Sequence, residues 1–396
     1  MKITDLKCAV IGNTPVVRVV TDEGISGFGQ IESSKPYLKP HVLFYREFIL
    51  GLDPTDVERV MLSIRRLGGF KPWGSSVSAI EMALWDIAGK AAGIPAYKLL
   101  GGKIRDRVRV YKTGSPFPAT GSTPEAYAES VKKAKEMEEG FSIIKHGVAF
   151  HSGMVADVPN YFYSEMQSGA RYPNTGLLTE RGFKHTVACV EAMKEALGDE
   201  VGLALDCGPG MTVIDAIRLA QALEPFNIMW LEDMLTGDYT PYVLADQYRE
   251  VTRSTSTPVH TGEQIYLRQH FKDLFEKQAV NIVGPDPADV GGIAELKWVA
   301  EYANLHGILI APHGVIDGLI GLAAHVQVAA TLPQNYIALE YPSGSTDWWY
   351  DIVEGLPDPI VKDGFIDVWD APGLGINFIE EAAKQYLPEG DEDFFD

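Results

Sequence analysis

Eight short apolar runs separated by amphipathic segments constrain this chain more than any other feature. They are RVRVYKT (107–113), SIIKHG (142–147), GLALD (202–206), IMWLED (228–233), PVHTGE (258–263), VNIVGPD (280–286), GILIAPH (307–313) and YIALEYP (336–342). Short runs that are mostly apolar suit strands covered on both faces. The segments between them, TVACVEAMKEALG and AELKWVAEYANLHG among them, have the spacing of helices with one buried face. Strands alternating with helices predict a parallel sheet, either doubly wound and open or closed into a barrel. No GxGxxG follows an early strand and no GxxxxGK[ST] occurs. The absence of both phosphate-cradling loops favours the barrel.

Ahead of these runs the pattern differs. PVVRVVT (15–21) and GFGQI (27–31) flank the turn DEGIS, and two helical stretches follow, DPTDVERVMLSIRRL and SSVSAIEMALWDIAGKAAG. The second repeats apolar residues at Ile80, Leu84, Ile87 and Ala88, close to the helical period. With 396 residues the chain has room for one large unit and one smaller one. Between the second and third runs lies a polar, aromatic, Gly/Pro-punctuated stretch, HSGMVADVPNYFYSEMQSGARYPNTG (151–176). A connection of that length in a compact domain serves a function or is disordered, and its aromatic residues favour a lid facing the substrate.

Charge narrows the partners. Lys and Arg number 34 against 54 Asp and Glu, a net charge of −20. Such a chain repels nucleic acid and anionic lipid, and binds a small anion only where something local, such as a metal ion, reverses the field. Cys8, Cys189 and Cys207 are too few and too scattered for a disulfide framework. The start, MKITDLKCAVIG, is charged where a signal peptide is apolar. No run reaches the roughly 18 apolar residues of a membrane span. These features predict a soluble cytoplasmic protein acting on a small molecule.

The chemistry sits at the ends of the runs. Asp206, Glu232 and Glu263 close three successive ones. In a parallel barrel all strand C-termini share one face, so three carboxylates would meet there and repel one another. A hard divalent cation relieves that repulsion, and oxygen-only ligands point to Mg²⁺. The next run ends in Asp286 and the one after in His313. An aspartate holding one imidazole nitrogen fixes the tautomer and raises the basicity of the other, which makes a general base. Lys145 and Glu340 add a cation and a further carboxylate to the same rim.

Taken together, LALD, WLED, TGEQ, PDPADVGG, APHG and ALEYP, with VRVVTDEGISGFGQIE, LLGGKIRDRVRVY and DGFIDVWDAPGLGI around them, resemble the enolase superfamily and, within it, the mandelate racemase group. The resemblance spans essentially the whole chain. It implies a modified TIM barrel, (β/α)7β, over residues 108–362, under an α+β capping domain formed by residues 1–107 and completed by 363–396. It makes Asp206, Glu232 and Glu263 the Mg²⁺ ligands and His313 with Asp286 the catalytic dyad, and it places Glu340 near the substrate carboxylate. The implied reaction removes the α proton of a carboxylate substrate through an enolate stabilised by the cation. The segment GFKPWGSS (69–76), which holds Trp73, matches a cap loop that closes over the substrate. Homo-oligomers are common in such a family.

Two departures refine the expectation. Many group members carry Lys-x-Lys at the second strand, whereas SIIKHG has Lys145 followed by Gly147. A missing second lysine argues against a two-base racemase. Some sugar-acid dehydratases carry a histidine two residues after the first metal ligand, where this chain has Gly208. Mannonate-dehydratase-like members use a tyrosine and an arginine from a long loop after the second strand, for which Tyr161, Tyr163, Arg171 and Tyr172 are candidates. The reading that follows is an Mg²⁺-dependent lyase dehydrating an aldonate or aldarate to a 2-keto-3-deoxy acid. An epimerase or lactone cycloisomerase would use the same enolate, and a silent carboxylate-binding protein is a more distant alternative.

Overall fold

The computed structural model describes residues 1–113, 119–164, 176–314, 318–341 and 347–396. Strands β1 (Ile3–Ile11), β2 (Thr14–Thr21) and β3 (Ser26–Gln30) form an antiparallel sheet, joined by a tight turn at Gly12–Asn13. Helices Val57–Ile64 and Gly74–Ala92 pack on it, and Ile3, Leu6, Val17, Val19, Val60, Ile64, Ile80 and Leu84 fill the core between them. The long helix stops at Gly93, whose φ of 68° lies in the left-handed region that a helix C-terminus uses. It is buried on nearly every side, because the sheet covers one face and the next unit covers the other.

That next unit is the barrel. Its parallel strands are β4 (Arg107–Thr113), β5 (Ile143–Gly147), β6 (Gly202–Asp206), β7 (Trp230–Glu232), β8 (Val259–Thr261), β9 (Ile282–Val283), β10 (Leu309–Ile310) and β11 (Leu339–Tyr341). Each pairs with the next in order through β10, and β11 returns to β4. The ring closes where Ile310 N–H donates to Asn335 and Ile337 N–H donates to Ile310. Helices follow the first seven strands, which is the (β/α)7β arrangement. Three of them, Pro124–Lys135, Glu180–Leu197 and Val213–Leu223, start behind a threonine whose hydroxyl accepts a backbone N–H three residues on. Such a cap contributes about 1 kcal/mol. Tyr111, Ile143, Ala204, Trp230, Ile282, Ala311 and Ala338 form a separate cluster within the ring.

The C-terminal segment returns to both units. Strands β12 (Val353–Glu354) and β14 (Asn377–Phe378) pair with each other, and β13 (Phe365–Asp367) runs antiparallel to β4. Phe394 and Phe378 pack on Phe28 of the cap sheet, while Lys7 Nζ donates to the Asp393 carbonyl at 2.5 Å. Several strands are shorter than the apolar runs. Glu263, Asp286 and His313 therefore lie in turns just beyond β8, β9 and β10, not within strands. At Asp286 the cause is local, since its Oδ1 accepts the Ala288 N–H at 2.7 Å and turns the chain away from the sheet.

Candidate active site

The strand register places the ionisable residues. Asp206, the last residue of β6, pairs with Glu232 on one side and Gly147 on the other. Lys145 lies two residues earlier on β5. Its Nζ is 2.8 Å from Glu232 Oε1 and 3.2 Å from Glu340 Oε1. Trp230 Nε1 donates to Glu232 Oε2 at 2.9 Å, and the Tyr111 hydroxyl donates to Glu340 Oε2 at 3.2 Å. Burial works against the charge of Glu232, but Lys145 beside it prevails and holds its carboxyl at about 2. Asp206 lacks such a partner, its nearest cation-capable neighbour being His151 Nδ1 at 3.5 Å. Burial pushes the Asp206 carboxyl up to about 6, and Glu232 and Glu263 add to the rise.

His313 sits across the rim. Its Nδ1 lies 2.6 Å from Asp286 Oδ2, and its Nε2 lies 2.8 Å from Glu263 Oε2 and 3.6 Å from Glu340 Oε2. Burial disfavours the imidazolium, yet Glu263 and Glu340 outweigh it and raise the pKa well above 6.5. Glu263 is held well below the usual carboxylate range, against burial, by Lys71 and His313. Glu263 thus neutralises the same nitrogen that a general base must free.

The cap supplies the other wall. Lys71 Nζ is 2.7 Å from Asp238, 3.5 Å from Glu32, 3.7 Å from Glu263 and 3.8 Å from Asp289. Lys35 pairs with Glu32, and the Ser75 hydroxyl donates to Asp289. Among the described residues, the one set of three His, Cys, Asp or Glu side chains whose ligand atoms all lie within 4.8 Å of each other is Glu32, Asp286 and His313. The trio expected from the sequence, Asp206, Glu232 and Glu263, shares the rim and interacts electrostatically but is less tightly gathered. Glu32 and Lys71 escaped the sequence reading, because a single charged residue in a cap turn has no spacing to separate it from a solvated one.

Tyr161 is buried, and its hydroxyl bonds to Thr186 Oγ1 at 2.7 Å beneath the helix Glu180–Leu197. Tyr163 is 72% exposed. Trp73 is 42% exposed and meets the His41 ring edge-on. Arg171 and Tyr172 lie outside the described residues. His146 points outward from β5 as the strand alternation predicts, within 3.0 Å of Ser130 Oγ and against Tyr127. Trp348 stacks between Trp349 and Tyr386 and pads the cap.

The two departures have a steric cause. A Cβ at Gly147 would lie 2.4 Å from the His151 carbonyl oxygen, and one at Gly208 would lie 1.7 Å from the Asp233 carbonyl oxygen. The chain just after β5 folds back over the place of a second lysine, and the chain after β7 fills the place of a second histidine. No side chain fits either position on this backbone.

Residues 128–382 match the family model described as enolase C-terminal domain-like, and residues 10–101 match that of the mandelate racemase / muconate lactonizing enzyme N-terminal domain. The chain belongs to the enolase superfamily. Within this superfamily it is 35% identical to a protein named D-xylonate dehydratase from Haloferax volcanii, over all of this chain and 91% of that one. It is 30% identical to a D-galactonate dehydratase family member from Pseudarthrobacter chlorophenolicus, over 95% of this chain and 93% of the other. A crystal structure of a mandelate racemase/muconate lactonizing enzyme-like protein from Rubrobacter xylanophilus superimposes with a TM-score of 0.82 at 34% identity, covering 98% of each chain. Among the described residues no helix is long and apolar enough to cross a membrane.

Proposed function

We propose that this enolase-superfamily member is an Mg²⁺-dependent lyase that dehydrates a sugar acid. The observation that carries the reading is the His313–Asp286 dyad, closed at 2.6 Å and facing a rim of buried carboxylates. That the compared relatives include proteins named for D-xylonate and D-galactonate dehydration supports an aldonate as substrate. Three buried, unbridged cysteines support a reducing, cytoplasmic setting.

Two carboxylate groupings could hold a cation, and their surroundings separate them. Glu32 already faces Lys35 and Lys71, so a divalent ion at Glu32, Asp286 and His313 would meet two ammonium groups. Asp206, Glu232 and Glu263 also meet ammonium groups, Lys145 at Glu232 and Lys71 at Glu263, but they offer oxygen atoms only where the other set includes an imidazole nitrogen, and Asp206 has no close cation save His151. This trio fits a hard cation. When bound there, Mg²⁺ would draw off the negative charge that develops on the substrate carboxylate as the α carbon loses its proton.

The protein's own groups do the rest. His313 Nε2 takes the α proton, while Asp286 holds the Nδ1 proton and fixes the ring. Glu263 faces Nε2 in this structure, and as a cation ligand it would leave that nitrogen free to act as the base. Lys145 and Tyr111 hold Glu340 at the floor of the site. His313 returns that proton to the β-hydroxyl, which leaves as water on the same face as the C–O bond breaks, and the enol so formed becomes the 2-keto-3-deoxy acid. The filled space at Gly147 removes the lysine of a two-base racemase, and favours elimination over epimerisation.

The test is incubation with Mg²⁺ and a panel of aldonic acids, with 2-keto acid as the readout. Wild-type protein should turn over at least one acid, and His313→Asn should lower kcat about 10³-fold while still binding it. Silence across the panel would remove the reading.

A further inference from the structure

The turn after β5 is bonded to the end of β6. Val148 N–H donates to the Asp206 carbonyl at 2.8 Å, and Phe150 N–H donates to the Cys207 carbonyl at 3.1 Å. Between them Ala149 takes a φ of 50°, and the chain doubles back. His151 is thereby laid over Gly147, its Cδ2 lying 3.2 Å from where a Cβ at Gly147 would stand. An imidazole thus occupies the place from which a lysine at 147 would start. Its Nδ1 faces Asp206 Oδ1 at 3.5 Å, the one polar contact of the ring among the described residues. Glu263 and Lys145 of the rim also act on it electrostatically. The side chain is 45% exposed and lines a cavity of about 260 Å³ that Asp206 shares.

Its place in the ring decides what His151 meets. Asp206 ends β6 and His313 follows β10, four strands on in a ring of eight, so the two imidazoles stand on opposite sides of the barrel mouth. A 2-hydroxy acid that turns its α proton and β-hydroxyl toward His313 turns its α-hydroxyl the other way. The cavity lining includes Ser122, Ser152, His146 and Asp157 but, among the described residues, no lysine or arginine. A carboxylate there would meet Asp157 and Asp206. A hydroxyl group suits either state of the imidazole, as donor to a bare Nε2 or as acceptor from Nε2–H. We propose that His151 binds the α-hydroxyl of the substrate and is a specificity-determining residue for 2-hydroxy acids. The inference rests on the sugar-acid reading and deepens it.

The test is calorimetric affinity, in the presence of Mg²⁺, for an aldonic acid that the wild type turns over and for its 2-deoxy counterpart. His313→Asn protein is the background, so that the bound acid persists. His151→Phe keeps a ring without hydrogen-bonding nitrogens. Added to that background, it should lower the ratio of the two dissociation constants about tenfold, and His151→Gln should restore part of it. The rise in melting temperature with Mg²⁺ alone should survive in His151→Phe. A ratio that changes less than about threefold overturns the proposal. So does loss of the Mg²⁺ response in His151→Phe, which would make His151 a support of Asp206 and not a contact of the substrate. Where the background binds too weakly to measure, Ki for the 2-deoxy acid over KM for its parent, in wild type and His151→Phe, is read by the same criteria. Wild-type protein inert toward every aldonic acid would overturn the dehydratase reading itself, and this inference with it, whereas turnover with an unaltered ratio would overturn the role of His151 alone.

Discussion

At the scale of single residues, the site is a set of charges whose values depend on burial. His325 shows the effect most simply. Its Nε2 lies 4.0 Å from Asp286 Oδ1, yet burial outweighs that attraction and lowers the imidazole from 6.5 to about 4. A histidine depressed in the fold leaves stability intact above its unfolded value, and stability falls as pH drops from about 6.5 through 4, where only the unfolded chain takes up the proton. The expected loss is about 3 kcal/mol over that window. The His325 share is read as the difference in urea midpoint between wild type and His325→Gln from pH 7 to pH 4, since Asp206, Asp289 and Glu81, raised by burial to about 6, 7 and 8, act in that window with the opposite sign. The dyad and carboxylates of the rim were legible in the sequence, because each ends an apolar run and nothing else accounts for a carboxylate there. Glu32 and Lys71 were not, because their burial is made by the meeting of two units distant in sequence.

At the scale of elements, the cap is bonded to the barrel through side chains that act as caps in trans. Glu81, on the helix Gly74–Ala92, accepts from Ile293 N–H at 2.8 Å, Ala294 N–H at 2.9 Å and Trp85 Nε1 at 2.6 Å. It satisfies the open N-terminus of the barrel helix Ile293–Leu305. Glu81→Ala would leave these donors buried and unpaired, a loss of about 3 kcal/mol that denaturant unfolding would register. Periodicity located this helix but not its contacts: EMALWDI looks amphipathic until both faces prove to be covered. Gly208 makes the converse point. Gly208→Ala should destabilise the protein by about 3 kcal/mol or more, since the added Cβ collides with rigid backbone at Asp233 and not with a movable side chain. Gly208→His should likewise fail to install a second acid. If it folded well and gained activity, the steric account of that departure would be wrong.

At the scale of the whole molecule, the barrel gathers three carboxylates from successive strands onto a face shared with the cap, on a chain of net charge −20. Ligand binding to such a site stabilises the native state in proportion to its occupancy. Added Mg²⁺ should therefore raise the melting temperature of the wild type, a chelator should reverse the rise and stop turnover, and Asp206→Asn should show little of either response. A melting temperature indifferent to Mg²⁺ in the wild type would count against the proposed ligands. The alternation of strands and helices made the barrel legible, whereas the exact strand ends were not, because turns such as that at Asp286 are closed by side chains and not by hydrophobic pattern.

The C-terminal residues that bond to Lys7 and pack on Phe28 bear on how the molecule is made. On the ribosome, β1–β3 emerge before the barrel, but the aromatic residues that cover them emerge after it. The cap sheet must wait with one apolar flank bare while the barrel assembles beside it. A translation stall late in the message would thus leave a finished barrel beside a cap sheet with that flank uncovered, a species that sticks to other chains.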